Sequence, residues 1–284
     1  MRFESPSTVA AAAALLAEPG ARALAGGSDL LVQMKSGMVQ PAVIVDLKRI
    51  AGLGEIRETP DAFIIGAAVP GAALREAKAL RKAWPGLVDG SKLIGSTQIQ
   101  GRATVAGNLC NASPAADSVP AMAACGAMAV VTGPNGSRTV PVEDIPVGPG
   151  RTSLAKGELV EAIRLPKPPP RTGSAYLRFT PRTEMDIAVA SVGIALSLDA
   201  DGTVTAAKVV LGAVGPKVII PEAAARALIG TRADAAALDA LAAACSAAAT
   251  PIDDKRGTKE FRIRVVGVLA RRAAEKAIER AKGK

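Results

Sequence analysis

Residues 21–35 read ARALAGGSDLLVQMK, and the fold turns on how this stretch changes character at its centre. Ala21 to Ala25 is a short run ending at two glycines, the pattern of a strand. From Ser28 to Lys35 the apolar residues suit a short helix, with Ser28 or Asp29 placed to cap its first turn. Gly26 and Gly27 can take a positive φ and let the backbone approach a ligand closely. Successive N–H groups in such a turn form an anion nest, reinforced by the helix start. The ligand chemistry that fits is a phosphate or pyrophosphate held by backbone donors. The spacing is neither GxGxxG nor GxxxxGKS, so neither a dinucleotide fingerprint nor a P-loop follows. Taken alone, a plain tight turn reads the same way.

Outward from this turn, Ser7 to Glu18 reads as a helix and Ala42 to Leu47 as a strand. Residues 1–55 thus form a small βαβ-like unit. Val9 to Ala17 is apolar and Ala21-Arg22-Ala23 resembles a cleavage site. Glu4, Pro6 and Ser7-Thr8 nevertheless suit a helix start better than the charged end of a signal peptide. A second unit, 56–170, opens with a strand at Ala62–Gly66 and a helix from Pro70 to Lys82. A Gly-, Ser- and Asn-rich loop is expected from Gly90 to Ser113, followed by a helix at Ala116–Cys125. Strands flank the turn Pro134-Asn135-Gly136, and Glu158 to Leu165 closes the unit. PKPPPRTG (166–173) reads as a linker. The third unit, 171–284, places strands at Ala175–Thr180, Ile187–Leu198 and Val204–Val214. Helices follow at Pro221–Leu228, Ala233–Ala248 and Thr258–Lys282, an α+β arrangement.

A second ligand candidate is ATVAGNLCNASPAAD (103–117). Its Thr, Ser, Gly and two Asn can donate to phosphate oxygens. Asp117, ionised at neutral pH, can only accept, so it suits a sugar or ribityl hydroxyl, or the cap of the next helix. An Asn- and Ser-rich turn without a ligand would use the same residue types.

Composition excludes more than it proposes. There is no histidine, which removes histidine-based triads and most metal-hydrolase schemes. Three scattered cysteines, Cys110, Cys125 and Cys245, form no CxxC, no disulfide framework and no four-thiolate cluster site. They fit a reducing, cytoplasmic compartment. No run of eighteen apolar residues spans a membrane. The net charge of +9 sits almost wholly in residues 255–284, with eleven basic and three acidic residues. With aromatics at 2% of the chain, base-stacking platforms are lacking and nucleic-acid binding is disfavoured. The basic C-terminal helix reads instead as a solvated face or a surface for a partner. An alanine-rich core with so few aromatics is expected to rely on close backbone packing.

The two motifs AGGSDLLVQMK (25–35) and ATVAGNLCNASPAAD (103–117) resemble the FAD-binding subunit or domain of the xanthine dehydrogenase and carbon monoxide dehydrogenase family of molybdenum hydroxylases. AYLRFTPRTEMDIAVA (175–190), PIDDKRG (251–257), Phe261-Arg262 and VLARR (268–272) resemble the start and close of its C-terminal domain, so the likeness spans nearly the whole chain. It implies a PCMH-type FAD-binding fold of two α/β subdomains, followed by an α+β domain with a three-stranded sheet and helices. It further implies that the backbone of Ala25, Gly26, Gly27, Ser28 and Asp29 holds the FAD pyrophosphate, with Leu24 beside it and Leu30 against the isoalloxazine. Thr104, Ala106, Gly107, Asn108 and Asn111 would line the second phosphate and ribityl region, and Asp117 would meet a hydroxyl. Val160 would offer a backbone contact, and Arg178 a cation near the oxygen-bearing edge of the flavin.

By the same resemblance the FAD is non-covalent. A large partner subunit carries the molybdenum cofactor, a small one carries two [2Fe–2S] clusters, and the electrons go on to NAD or another oxidant. Ala106 departs from the family's Gly-Gly pair, which a negative φ tolerates. Ser28-Asp29 stands where carbon monoxide dehydrogenase-like members have His-Ser, so carbon monoxide is not the expected substrate. A stand-alone flavin oxidase and a flavin-fold assembly protein are the alternatives. The absence of histidine disfavours the first where attachment is covalent, and two intact phosphate motifs disfavour the second.

Overall fold

The computed structural model describes residues 1–283. The first part runs β1 (Arg2–Glu4), α1 (Val9–Leu16), β2 (Ala21–Leu24), α2 (Leu30–Lys35) and β3 (Val43–Asp46). Its sheet has the order β1-β3-β2 with both pairings parallel. The unit is therefore βαβ, as expected, with β1 as an edge strand the sequence reading had missed. Thr8 starts α1 by accepting the Ala11 N–H at 3.2 Å. Ala12 and Ala13 turn inward against Val43, Val45 and Leu47.

The next part contains β4 (Ile56–Glu58), β5 (Ala62–Gly66), α3 (Gly71–Glu76), α4 (Lys78–Ala83), α5 (Pro85–Ser91), α6 (Thr97–Gln100), α7 (Val105–Cys110) and α8 (Ser118–Ala124). It continues with β6 (Met128–Gly133), β7 (Gly136–Pro141), β8 (Pro146–Gly148), β9 (Arg151–Thr152) and β10 (Leu159–Pro166). The five-stranded sheet β4-β5-β10-β6-β7 is antiparallel throughout. Two expectations need correction here. The single helix from Pro70 to Lys82 is two helices, broken at Ala77, whose ψ of 87° leaves the helical region. The loop expected from Gly90 to Ser113 instead contains the end of α5 and all of α6 and α7. Both short helices are started by hydroxyl caps, Ser96 accepting from Ile99 N at 3.4 Å and Thr104 from Gly107 N at 2.9 Å. Helices this short form on tertiary contacts and caps rather than on propensity, so Gly, Ser and Asn do not forbid them.

The last part has β11 (Thr172–Phe179), β12 (Ala190–Leu198) and β13 (Val204–Gly212) in an antiparallel sheet of that order, then α9 (Glu222–Leu228), α10 (Ala235–Ala248) and α11 (Lys259–Ala281). The expected linker is shorter than 166–173, because Pro166 still pairs with Ala62 and Thr172 already pairs with Ser197. The fold is thus the mixed α/β architecture that the resemblance implied. Among the described residues, no helix is long and apolar enough to cross a membrane.

The charge of α11 is less free than its sequence implies. Arg262 is buried, donating to the carbonyls of Val189 at 2.8 Å and to Asp254 at 2.6 Å. Arg280 and Lys276 both reach the buried Asp89 of α5, at 2.6 and 3.2 Å. Arg271 pairs with Asp239 and Glu275. Much of the helix's cationic charge therefore ties it to its own chain, and the expected basic docking face is reduced to residues such as the exposed Arg264 and Arg272.

Close backbone packing does replace aromatic bulk in this region. Ala273, Ala274 and Ala277 are fully buried against the sheet, and a Cβ on Gly173 would overlap the carbonyl oxygen of Ala277 and sit 2.5 Å from Ala281 N. Gly173→Ala must therefore displace α11 from β11. A loss of stability at or above the roughly 1–3 kcal/mol typical of overpacking is expected, measured by denaturant unfolding.

Candidate functional site

Three segments enclose a cleft of about 560 Å³, within the usual range for ligand sites of roughly 300–1,000 Å³. The end of β2 and start of α2 bring Leu24, Ala25, Gly26, Gly27, Ser28, Asp29 and Leu30 to it. The short helix α7, with its two cap residues, brings Thr104, Ala106, Gly107, Asn108 and Asn111. The strand β10 and the loop before it bring Val160, Thr152 and residues 154–159. Two motifs nearly eighty residues apart in sequence thus face one space.

They face it because their backbones touch. A Cβ on Gly26 would overlap the carbonyl oxygen of Arg102 and sit 3.0 Å from the Cα of Ala103. Only glycine lets the first turn lie against the second loop. Gly27 has φ +79°, the left-handed region in which glycine is at no disadvantage. Asn111 then bridges the two motifs with both ends of its amide, accepting from Gln33 Nε2 at 3.0 Å and donating to Asp29 Oδ1 at 3.1 Å. Lys48, whose ammonium is held by Asp46, donates to the carbonyl of Ala25 at 3.2 Å and so fixes that peptide.

With these contacts in place, the N–H groups from Gly26 to Asp29 make no hydrogen bond among the described residues. They form a ready donor set for a phosphate. The cleft's side-chain charges are few, Arg22 and Lys156 against Glu18, Asp29 and Glu158, so an anion here depends on backbone dipoles. Ala106 is buried and has no positive φ, so its methyl is tolerated where the family pattern has glycine. Asn108 turns its Oδ1 away, accepting from the N–H and hydroxyl of Ser118 at 3.2 and 2.7 Å. Cys110 also lines the cleft, its thiol pushed up to about 12 by burial and hence unreactive as a nucleophile.

Two expected residues lie elsewhere. Asp117 and Arg178 do not line the cleft but bind each other at 2.5 Å, both nearly buried, and the Tyr176 hydroxyl donates to Asp117 at 2.8 Å. Asp117 starts α8 but makes no side-chain cap. Burial pushes its carboxyl up to about 6, against the opposing pull of the Arg178 cation. The trio joins the start of α8 to β11, and Asn108 hangs from the neighbouring Ser118.

A family model described as the FAD binding domain in molybdopterin dehydrogenase matches residues 1–168, and one described as the CO dehydrogenase flavoprotein C-terminal domain matches 175–277. This chain belongs to the FAD-binding subunits of the molybdenum hydroxylases. It is 37% identical over 282 residues to the carbon monoxide dehydrogenase medium chain of Afipia carboxidovorans, covering 99% of this chain and 97% of that one. It is 29% identical over 285 residues to the xanthine dehydrogenase FAD-binding subunit of Escherichia coli O157:H7, with 99% and 97% covered. The solved structure of reconstituted CO dehydrogenase from Oligotropha carboxidovorans superimposes with a TM-score of 0.94 at 35% identity, covering 99% and 98% of the two chains.

The FAD-binding subunit has one part of its cleft that the motifs did not announce. Beyond Val160, the sequence reading missed the wall formed by Thr152, Leu154, Ala155, Lys156, Gly157 and Glu158. A salt bridge to Arg138, a hairpin residue that does not itself line the cleft, organises it, and only the signal of an isolated Glu and Arg was visible in sequence. The Arg138 guanidinium holds the Glu158 carboxyl down at about 2 against the opposing effect of burial, with the Ala155 N–H assisting.

Two outcomes are expected. Gly26→Ala forces the turns apart, and FAD affinity should fall at least about tenfold, or roughly 1.4 kcal/mol, by flavin titration. The second concerns acid. A carboxyl depressed in the folded state binds fewer protons there than when unfolded, so the Arg138–Glu158 stabilisation is whole above the ordinary value of 4.5 and is lost as pH falls towards 2. The stability gap between the wild type and Arg138→Met should therefore be constant above about pH 5 and close below it, followed by urea unfolding across pH.

Proposed function

We propose that this subunit takes electrons from the [2Fe–2S] clusters of a small partner subunit and hands them, through its FAD, to NAD or another acceptor. The oxidation of substrate takes place in a large partner subunit that carries the molybdenum cofactor. The relatives' designation as medium chains and FAD-binding subunits supports this division of labour. The observation that carries it is the cleft itself, in which two glycine-bearing turns are locked together by Gly26 and Asn111 and leave a row of backbone donors free.

The residues fit FAD in this way. Backbone N–H groups of Gly26, Gly27, Ser28 and Asp29 bind the pyrophosphate, with Leu24 and Ala25 beside it. Leu30 packs on the isoalloxazine, while Thr104, Ala106, Gly107, Asn108 and Asn111 shape the floor under the ribityl chain and second phosphate. Val160 supplies a backbone contact at the far wall. Asp117 and Arg178 act from behind, fixing the start of α8 and with it the orientation of Asn108. FAD supplies the redox chemistry, and the chain binds it, orients it and sets its surroundings. No general acid or base of this chain is needed for that task, in keeping with a sequence free of histidine. Three unpaired cysteines fit a reducing, cytoplasmic setting.

The test is an absorption spectrum of the chain purified with its partner subunits, before and after denaturation. Flavin absorbance that passes to the supernatant on denaturation is expected. A complex with full molybdenum and iron content but no flavin would overturn the proposal.

A further inference from the structure

The cleft wall opposite the glycine turns is the irregular stretch between β9 and β10. Left-handed glycines shape it, Gly150 just before β9 at φ +66° and Gly157 within the stretch at φ +85°. Its first residue is pinned, since Ser153 donates to the carbonyls of Ile145 and Asp144, both at 2.8 Å. The cleft-lining residues that follow, Leu154 to Gly157, depend on one carboxylate. Glu158 Oε2 accepts the Ala155 N–H at 2.7 Å, closing the loop on itself. Both Glu158 oxygens are also gripped by Arg138 of β7, Nε to Oε1 at 2.8 Å and NH2 to Oε2 at 2.7 Å, the paired geometry that makes arginine–carboxylate contacts strong. Arg138 also reaches the Ser153 carbonyl at 3.4 Å.

The neighbouring strand is shaped for this arrangement. A Cβ on Gly133 of β6 would come within 2.7 Å of Glu158 Cγ, so the hairpin leaves room for that side chain. Glu158 lines the cleft and its side chain is 16% exposed, whereas Arg138 lies outside with 42% exposed.

We infer that Arg138 is a positioning residue for FAD, which it never touches: through Glu158 it holds the 154–157 wall against the bound cofactor, and breaking the pair lets FAD leave. This rests on FAD occupying this cleft as proposed above. The glycine turns do not depend on Arg138, so its loss acts on retention and leaves the phosphate nest intact.

The experiment compares wild type, Arg138→Met and Arg138→Lys, each in the complex purified with its partner subunits and loaded with FAD. Release is followed by the fluorescence of freed flavin after dilution. At low salt the Met variant should release FAD roughly three to ten times faster. The Lys variant should fall between, since it restores charge without the planar fork. Molar salt, with a screening length of about 3 Å, should raise the wild-type rate towards that of the Met variant and leave the Met variant unmoved. A merely structural contribution of Arg138 would not produce that convergence. Equal release rates at low salt, or the same salt response in wild type and the Met variant, would overturn the inference. A wild-type complex without flavin would overturn the FAD reading of the cleft itself, and Arg138 with it.

Discussion

The contact on which the rest of this subunit's architecture depends is a missing side chain. Gly26 lies so close to the backbone of Arg102 and Ala103 that no Cβ could stand between them. The Ala103 carbonyl at this seam accepts from Gly71 N at 2.8 Å, so the second loop is anchored on α3. Gln100, buried just ahead, donates to the carbonyl of Lys92 at 2.6 Å and stiffens the same loop from behind. A parallel βαβ unit and an antiparallel sheet, each with its own apolar cluster, are in this way joined along one line. That line is the floor of the cleft. Asn111 then sets the spacing, since both ends of its amide are engaged across the seam.

The second constraint is charge. A chain carrying +9 would be expected to hold phosphate with lysine and arginine, yet the cleft is lined mainly by alanine, leucine, glycine and backbone. The cations are engaged elsewhere. Asp89 is buried among Arg280, Lys276 and Lys92, whose pull outweighs the burial that opposes ionisation and keeps its carboxyl below the ordinary range. Asp117 is buried against Arg178 and Tyr176. Both carboxylates lie in the middle part of the chain, and their partners Arg280, Lys276, Arg178 and Tyr176 lie in the last part. Breaking a buried pair costs far more than an exposed one, because the orphaned charge stays out of water. These two clusters therefore fix how β11 and α11 sit on α5 and α8. The low aromatic content is met in the same region by small residues, as at Gly173 against Ala277 and Gly193 against Pro120.

How far this could be read in advance differs from residue to residue. The βαβ character of the first part, the strand-rich opening of the last and its three closing helices follow from apolar periodicity, and the structure has them. Helices α6 and α7 were hidden because runs of four and six residues are too short to carry a readable period. Strand β1 was hidden because three residues at a sheet edge carry no alternation. Asp117 and Arg178 were legible as a functional-looking carboxylate and cation. That they meet each other rather than the cleft was not, because sixty-one residues separate them and only the packing of α8 on β11 brings them together.

The sequence by itself determined the chemistry of the turns: two glycines where the chain must reverse and approach closely, hydroxyl and amide side chains beside them, and no histidine for acid–base work. Those properties are local, set by φ, by the lack of a Cβ and by side-chain donors, and so they survive without knowledge of the fold. Tertiary structure alone decided which groups share a space. It put Gly26 on Arg102, gave the Asn111 amide to Asp29 and Gln33, and set Arg138 to brace a cleft wall it does not line. The reason is that a hydrogen bond between distant residues exists only where the backbone delivers both partners within about 3 Å, and that delivery is a property of the packed sheets and not of either residue.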